Sequence, residues 1–300
     1  GFEGVDLLHL FGSEPEHLPV ALAARAKGIP VVLSTIAWFD LRSRWHEPGR
    51  LVRRAWNCGK LIIRRATPFL PSWRRRLYHA VDRLLPNSHA EAEQLAGCFQ
   101  VPRSRIHVVP NGADERFHHP RTCLPPEVER LGRFVLYSGR IEPRKNQLGF
   151  LRAMRGTSGP IVVLGDVVPG WEKYGRACRR EAGPNTTFVP RLSHDDPTLE
   201  AMYAACACLA LCSWFETPGL AALEAGMSGA PLVVTPYGCA REYFRDLAEY
   251  APPDCPRRIQ EAVTSAMNRE RSEVLAEWVY RKYSWSQAAL ETRAAYDSTT

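Results

Sequence analysis

At 300 residues, 45% hydrophobic and 24% charged, the chain has the length of about two soluble domains and a composition that excludes disordered and fibrous classes. Its nine cysteines are odd in number and scattered as reduced thiols are, which excludes a small disulfide scaffold. No run approaches the ~18 apolar residues of a spanning helix and no apolar signal core precedes the first domain, so a cytoplasmic protein, soluble or peripheral, is expected.

Short apolar runs alternate with longer amphipathic stretches, the pattern of βα units and parallel sheets. In the first part the expected strands are Val5 to Leu10, Ile29 to Leu33, Arg83 to Leu85 and Ile106 to Val109. Between the second and third lies the segment that makes the protein basic. From Arg42 to Arg76 there are eleven Lys or Arg against one acid, Glu47, a local balance of +10 within a chain of +7, so the rest carries −3. Arg50 to Trp56 and Lys60 to Arg65 suit a helix with apolar and cationic faces, interleaved with Trp45, Trp56, Phe69 and Trp73. Such a helix fits an anionic membrane, and equally one that packs its apolar side on a sheet. No recognised nucleic-acid module accompanies the charge, so nucleic acid is not an expected partner.

Pro110-Asn111-Gly112-Ala113-Asp114, followed by Pro120, Pro125 and Pro126, marks a domain boundary. The second part has expected strands at Phe134 to Ser138, Ile161 to Gly165, Thr187 to Val189, Cys208 to Cys212 and Leu232 to Thr235, each apolar enough to be buried on both faces. Cys206, Cys208 and Cys212 lie in an apolar run without the paired spacing of a zinc site, and burial is expected for them. Ile259 to Tyr296 is helical in period, with a break at Tyr283-Ser284-Trp285-Ser286 and a fresh helix from Ser284 or Ser286.

Ligands of open α/β sheets bind beyond the carboxyl ends of strands. Two such ends carry convergent polar groups. Tyr137-Ser138-Gly139-Arg140-Ile141-Glu142-Pro143-Arg144-Lys145-Asn146 sets Arg140 and Lys145 at a strand tip, a fork and a point charge suited to phosphate oxygens, although a solvated basic loop would read the same way. Trp214 to Gly226 places Glu216 before a helix and Glu224 inside it. At most ~12 Å of rise and ~80° of rotation separate them, so they serve different parts of one elongated ligand, as hydroxyl acceptors for sugar and ribose, or are ordinary helix acids.

Gly139-Arg140…Lys145-Asn146 together with Glu216-x7-Glu224-Ala225 resembles the retaining, nucleotide-sugar-dependent glycosyltransferases of family 4. Pro110 to Asp114 is similar to their interdomain hinge, and Pro86-Asn87-Ser88 to the strand end before it. The resemblance covers nearly the whole chain and implies the GT-B fold, two Rossmann-like domains with parallel sheets facing a cleft. It implies an acceptor domain over 1–112, a donor domain over 113–282 and a terminal helix, 283–300, that crosses back to the first. The first domain is truncated against that pattern, so the chain is either a fragment or has a reduced first sheet.

Residue by residue, the resemblance implies that Arg140 and Lys145 clamp the donor diphosphate without a metal or other cofactor. Glu216 would bind sugar hydroxyls, completing the catalytic set, and Glu224 the ribose. Gly139, Pro218, Gly219 and Leu220 would support sugar and phosphate, and Val189 and Arg191 would line the base. The donor would be a UDP-, GDP- or ADP-linked hexose and the acceptor a hydroxyl of a glycan or lipid-linked molecule, with Gly12, Ser13, Glu16 and His17 on the acceptor side. His9 reads as a strand residue satisfied by a neighbour. A silent sugar-nucleotide-binding accessory protein would keep the same donor motifs.

Overall fold

The computed structural model describes residues 1–46, 51–120, 126–130 and 132–299; Glu47, Arg50 and Pro125 lie outside them. Contacts divide the chain into two compact units, one running to Trp45, on to Asn111 and again from Ser286, the other of Gly112–Trp285 together with His46. Among the described residues no helix is long and apolar enough to cross a membrane.

The first unit holds a parallel three-stranded sheet in the order β1 (Leu8–Phe11), β2 (Val31–Ser34), β3 (Arg83–Leu84), with Leu8 opposite Val31 and Val32 opposite Arg83. Ile106 to Val109, expected as a fourth strand, makes only an isolated bridge from Ile106 to Leu84. Its backbone stays satisfied through the His107 and Val109 amides, which donate to the Leu84 and Pro86 carbonyls, yet no continuous ladder forms. Helix Leu51–Ala66 buries Leu61 alone and leaves Leu51, Val52, Trp56, Ile62 and Ile63 exposed.

The second unit is a six-stranded parallel sheet: β4 (Val135–Ser138), β5 (Ile161–Leu164), β6 (Thr186–Val189), β7 (Cys208–Leu211), β8 (Leu232–Val234) and β9 (Glu249–Tyr250). The order β6-β5-β4-β7-β8-β9 means that the chain builds outward from β4 on one side and then crosses to its other side at β7. Helices must cover both faces of such a sheet, and β4, β5 and β7 are accordingly buried at every position. Each fully buried Val or Leu contributes about 1.5–3 kcal/mol. Cys206, Cys208 and Cys212 are part of this core, and burial pushes the thiols of Cys206 and Cys212 up to about 12.

The long helical stretch at the end is three helices, Pro256–Met267, Glu273–Tyr283 and Trp285–Asp297. The unanticipated first break has a chemical cause, since the Ser272 hydroxyl accepts from the Leu275 amide and starts a new helix. At the second, Ala113 bridges Ser284: the Ala113 amide donates to the Tyr283 carbonyl at 2.7 Å, and the Trp285 amide to the Ala113 carbonyl at 3.1 Å. A Cβ on Gly112 would lie 2.6 Å from Ser284 backbone, which is why a glycine stands there. Helix Trp285–Asp297 packs in the first unit, with Ala295 and Tyr296 against Val32 and Leu85.

Candidate functional site

The point where a parallel sheet reverses its strand order leaves a crevice at the carboxyl ends. Here that point lies between β4 and β7, so the loops following those strands meet although 71 residues separate Lys145 from Glu216. The approach of β4 to β5 depends on glycine: at Gly165, with φ +141°, a Cβ would lie 2.2 Å from the Gly139 carbonyl oxygen. Beyond Gly139 the chain passes the exposed Arg140 and turns through a 3-10 helix, Pro143–Lys145. Buried Asn146, in the left-handed region at φ +59°, then donates through Nδ2 to the carbonyls of Cys212 and Pro253, each at 3.0 Å. That amide ties the loop after β4 to the end of β7.

The same junction holds an ion cluster. Lys145 Nζ donates to Glu216 Oε1 at 2.7 Å, the Ser213 hydroxyl to the same oxygen at 2.5 Å, and Arg144 Nη1 lies 4.0 Å from Oε2. Glu216 is only 3% exposed. Burial by itself would raise its carboxyl, but Lys145 and Arg144, with the hydrogen bonds from Lys145 and Ser213, outweigh it and hold the group below its ordinary value. Gly238, at φ +97°, bridges Glu216 so closely that a Cβ would lie 1.9 Å from the Glu216 carbonyl oxygen.

After Glu216 the chain passes a cis Thr217–Pro218 bond and Gly219, at φ +92°, into helix Leu220–Met227. Pro218 is buried and Leu220 exposed. Glu224 lies within the helix, also buried, and has a separate set of partners. It accepts from the Tyr203 hydroxyl at 2.9 Å, and His194 Nδ1 lies 3.8 Å from its other oxygen. Burial pushes the Glu224 carboxyl above its ordinary value, with Tyr203, His194 and Arg116 opposing. Among the described residues the two glutamates thus have separate anchors, one held by a cation and the other by a phenol.

A cavity of about 370 Å³ opens at these strand ends. Gly139, Arg140, Arg191 and Glu224 of the expected residues line it, whereas Lys145, Val189, Glu216, Pro218, Gly219 and Leu220 are outside the lining. Lys145 reaches its edge at Gly139, where a Cβ would lie 3.8 Å from the Lys145 Cε. Val189 ends β6 and its carbonyl accepts from the Gly165 amide at 3.0 Å.

Sequence reasoning missed Ser138, Asp166, His194 and Tyr203, which also line the cavity. Asp166 follows a strand-ending glycine, the same signal that drew attention to Arg140. Its Oδ1 accepts from the Arg191 amide at 3.2 Å. Tyr203 sits in an apolar helix, Pro197–Ala205, and carried no polar signal.

In the first unit, Gly12 has φ +89° and its carbonyl meets His17 Nδ1 at 2.8 Å. Ser13 Oγ donates to the Thr35 carbonyl at 2.6 Å and accepts from the Tyr78 hydroxyl at 2.9 Å. Glu16 is exposed at the start of helix His17–Arg25. His9 is bonded to Ser34 Oγ at 2.9 Å and Tyr296 OH at 2.6 Å, and burial lowers its pKa to about 4.

Two family models match: the glycosyl transferases group 1 domain over residues 128–285 and the glycosyl transferase 4-like domain over residues 3–112. Among curated proteins, a D-inositol 3-phosphate glycosyltransferase of Nocardioides sp. is 27% identical over 255 residues, 74% of this chain and 54% of that one. The protein of the same name from Mycolicibacterium smegmatis is 32% identical over 52% of this chain and 38% of its own. The chain spans about half the length of the curated relatives it matches. Among solved structures, sucrose-phosphate synthase from Thermosynechococcus elongatus superposes with a TM-score of 0.76 at 18% identity, over 98% of this chain and 73% of that one. Anabaena HepE in complex with UDP and glucose gives 0.69 at 16% identity, over 97% and 78%. The fold is that of the GT-B glycosyltransferases.

Proposed function

A chain that carries the glycosyl transferases group 1 domain over more than half its length belongs to that family of glycosyltransferases, and from this premise we propose that it moves a hexose from a nucleotide diphosphate sugar to an acceptor hydroxyl with retention of configuration. The observation that carries the reading is the pair of buried glutamates with separate anchors, beside a cavity that opens on Arg140.

In this reading Arg140 and Lys145 hold the diphosphate and take up the charge that develops as the glycosidic C–O bond breaks. Lys145 has three donors, of which Glu216 takes one. Glu216, kept ionised, accepts from sugar hydroxyls, and Glu224 accepts from the ribose. The amides of Gly219 and Leu220 at the helix start support sugar and phosphate, and Val189 and Arg191 flank the base. The acceptor oxygen attacks from the face the diphosphate leaves, and its proton passes to the departing phosphate oxygen. Gly12, Ser13, Glu16 and His17 belong to the acceptor side, which takes a glycan or lipid-linked hydroxyl. The likeness to HepE, whose structure holds UDP and glucose, supports a uridine nucleotide.

Thermal unfolding with UDP, GDP, ADP and their glucose conjugates tests this reading, with NAD as control. Stabilisation by one nucleotide series is expected, on the order of 2–3 kcal/mol at a hundredfold excess over Kd. A cooperative melt that none of them shifts would overturn the donor site.

The exposed Leu51, Val52, Trp56, Ile62 and Ile63 share helix Leu51–Ala66 with Arg53, Arg54, Arg64 and Arg65, and we propose that residues 42–76 hold the protein at an anionic membrane surface from the cytoplasmic side. Flotation with phosphatidylglycerol vesicles and not with pure phosphatidylcholine is the expected result; equal flotation with both, or with neither, removes the proposal.

A further inference from the structure

A second cavity, of about 280 Å³, lies wholly within the first unit, far in sequence from every donor residue. Three helices contribute to it. Arg44 comes from Leu41–Trp45, Lys60 and Arg64 from Leu51–Ala66, and Arg74 from Trp73–Ala80, whose N-cap Ser72 is also in the lining. Four cations therefore surround one concavity, and among the described residues its lining contains no carboxylate.

Aromatic rings hold two of these cations in place. The Arg74 guanidinium stacks over Trp73 at 4.2 Å and lies 5.9 Å from the Phe39 ring, and Arg64 lies 5.6 Å from the Phe99 ring while donating to the Leu70 carbonyl at 2.6 Å. Fixed guanidinium groups lose little freedom on binding, which favours a compact anion. Burial, and then the like charge of Arg44, hold Arg74 below the usual arginine range against the opposing effects of Tyr78 and Glu14. The first amides of an eight-residue helix add the positive end of its dipole.

We infer that this pocket is a binding site for a phosphate ester, distinct from the nucleotide-sugar site. An extended polyanion would need a continuous stripe, whereas this concavity has room for one phosphate or diphosphate group and part of its alcohol. The ester is either a soluble phosphorylated molecule or the headgroup of a phospholipid, since the cations read the phosphate and not what it is attached to.

Calorimetric titration of the full chain tests the inference, with inorganic pyrophosphate in one arm and phosphatidylcholine vesicles with or without phosphatidic acid in the other. Three proteins are compared: the unaltered chain, K60Q/R64Q, and R42Q/R53Q, which removes the same charge from the same segment outside the pocket. The donor site contributes equally to all three, so the difference reads the pocket alone, and its failure leaves the nucleotide panel untouched. Pyrophosphate is expected to bind K60Q/R64Q at least ~10-fold more weakly than either of the others. A loss of phosphatidic acid vesicles by K60Q/R64Q beyond that of R42Q/R53Q, which lowers the general attraction of the segment for an anionic surface by the same charge, identifies a lipid source, and equal vesicle binding by the two variants a soluble one. If K60Q/R64Q does not melt cooperatively, R44Q takes its place. Equal affinity across the three proteins, or no binding by the unaltered chain, overturns the proposal.

Discussion

Replacing Lys145 by methionine is expected to lower the stability of the second unit by about 3 kcal/mol, roughly 6–12 °C in Tm for a unit of this size. The cause is what remains behind. Glu216 is 3% exposed, and without Lys145 its carboxylate keeps only the Ser213 hydroxyl and an Arg144 nitrogen at 4.0 Å. Methionine nearly conserves the stem, so the loss measures the orphaned charge and not a cavity.

The pH dependence changes sign with it. In the unaltered chain the Glu216 pKa is lowered, so its contribution is fully present above the unfolded carboxyl value of about 4.3 and is lost as pH falls through the folded value. In Lys145→Met burial is left as the dominant influence, the folded pKa rises, and stability then improves as pH falls through it. Lys145→Met/Glu216→Gln is expected to recover most of the Tm while sugar transfer stays lost. Differential scanning calorimetry between pH 4 and 7 decides the matter. A single variant as stable as the unaltered chain, with the same acid limb, would show that the pair does not hold the two loops together.

Glu224→Gln should do the reverse, weakening nucleotide binding while leaving the fold intact. A carboxylate that accepts from ribose hydroxyls makes charge-assisted hydrogen bonds, and their loss is expected to raise the Kd of the nucleotide about 10- to 100-fold. The amide oxygen can still accept from the Tyr203 hydroxyl, at 2.9 Å from Oε2 in the unaltered chain. Because burial raises the Glu224 pKa, ionised Glu224 costs stability as pH rises through the unfolded carboxyl value, and glutamine removes that cost. An unchanged or slightly higher Tm near neutral pH is therefore expected beside the weaker binding. Nucleotide held as tightly by Glu224→Gln as by the unaltered chain would refute the ribose assignment.

The strands of the second sheet were legible because Val135 to Ser138, Ile161 to Leu164 and Cys208 to Leu211 are buried on both faces, and such burial writes unbroken apolar runs. β9 was not, since two half-buried residues, Glu249 and Tyr250, carry no periodicity. Ile106 to Val109 shows the opposite failure, an apolar run satisfied by alternate loop hydrogen bonds. At the site, Arg140 announced itself as a charge at a strand tip, and Glu224 as an acid inside the helix that follows a Pro-Gly turn. The bond between Lys145 and Glu216 could not be read that way, because the strand order that joins them is a property of the sheet. Tyr203 was invisible for a plainer reason: a phenol in an apolar helix looks like core until its hydroxyl is seen between Ser138 and Glu224.

Helix Trp285–Asp297 also governs the order in which the protein can form on the ribosome. The first unit contains residues made before the second, yet Val32 and Leu85 close their small apolar cluster on Ala295 and Tyr296, and Arg83 bonds Thr299 at 3.0 Å. The second unit needs no such late partner within Gly112–Trp285. Domains released early in synthesis ordinarily fold first. Here the half translated first keeps the cluster around Val32 and Leu85 uncovered until helix Trp285–Asp297 has left the exit tunnel, so the half translated second can be complete before that cluster closes.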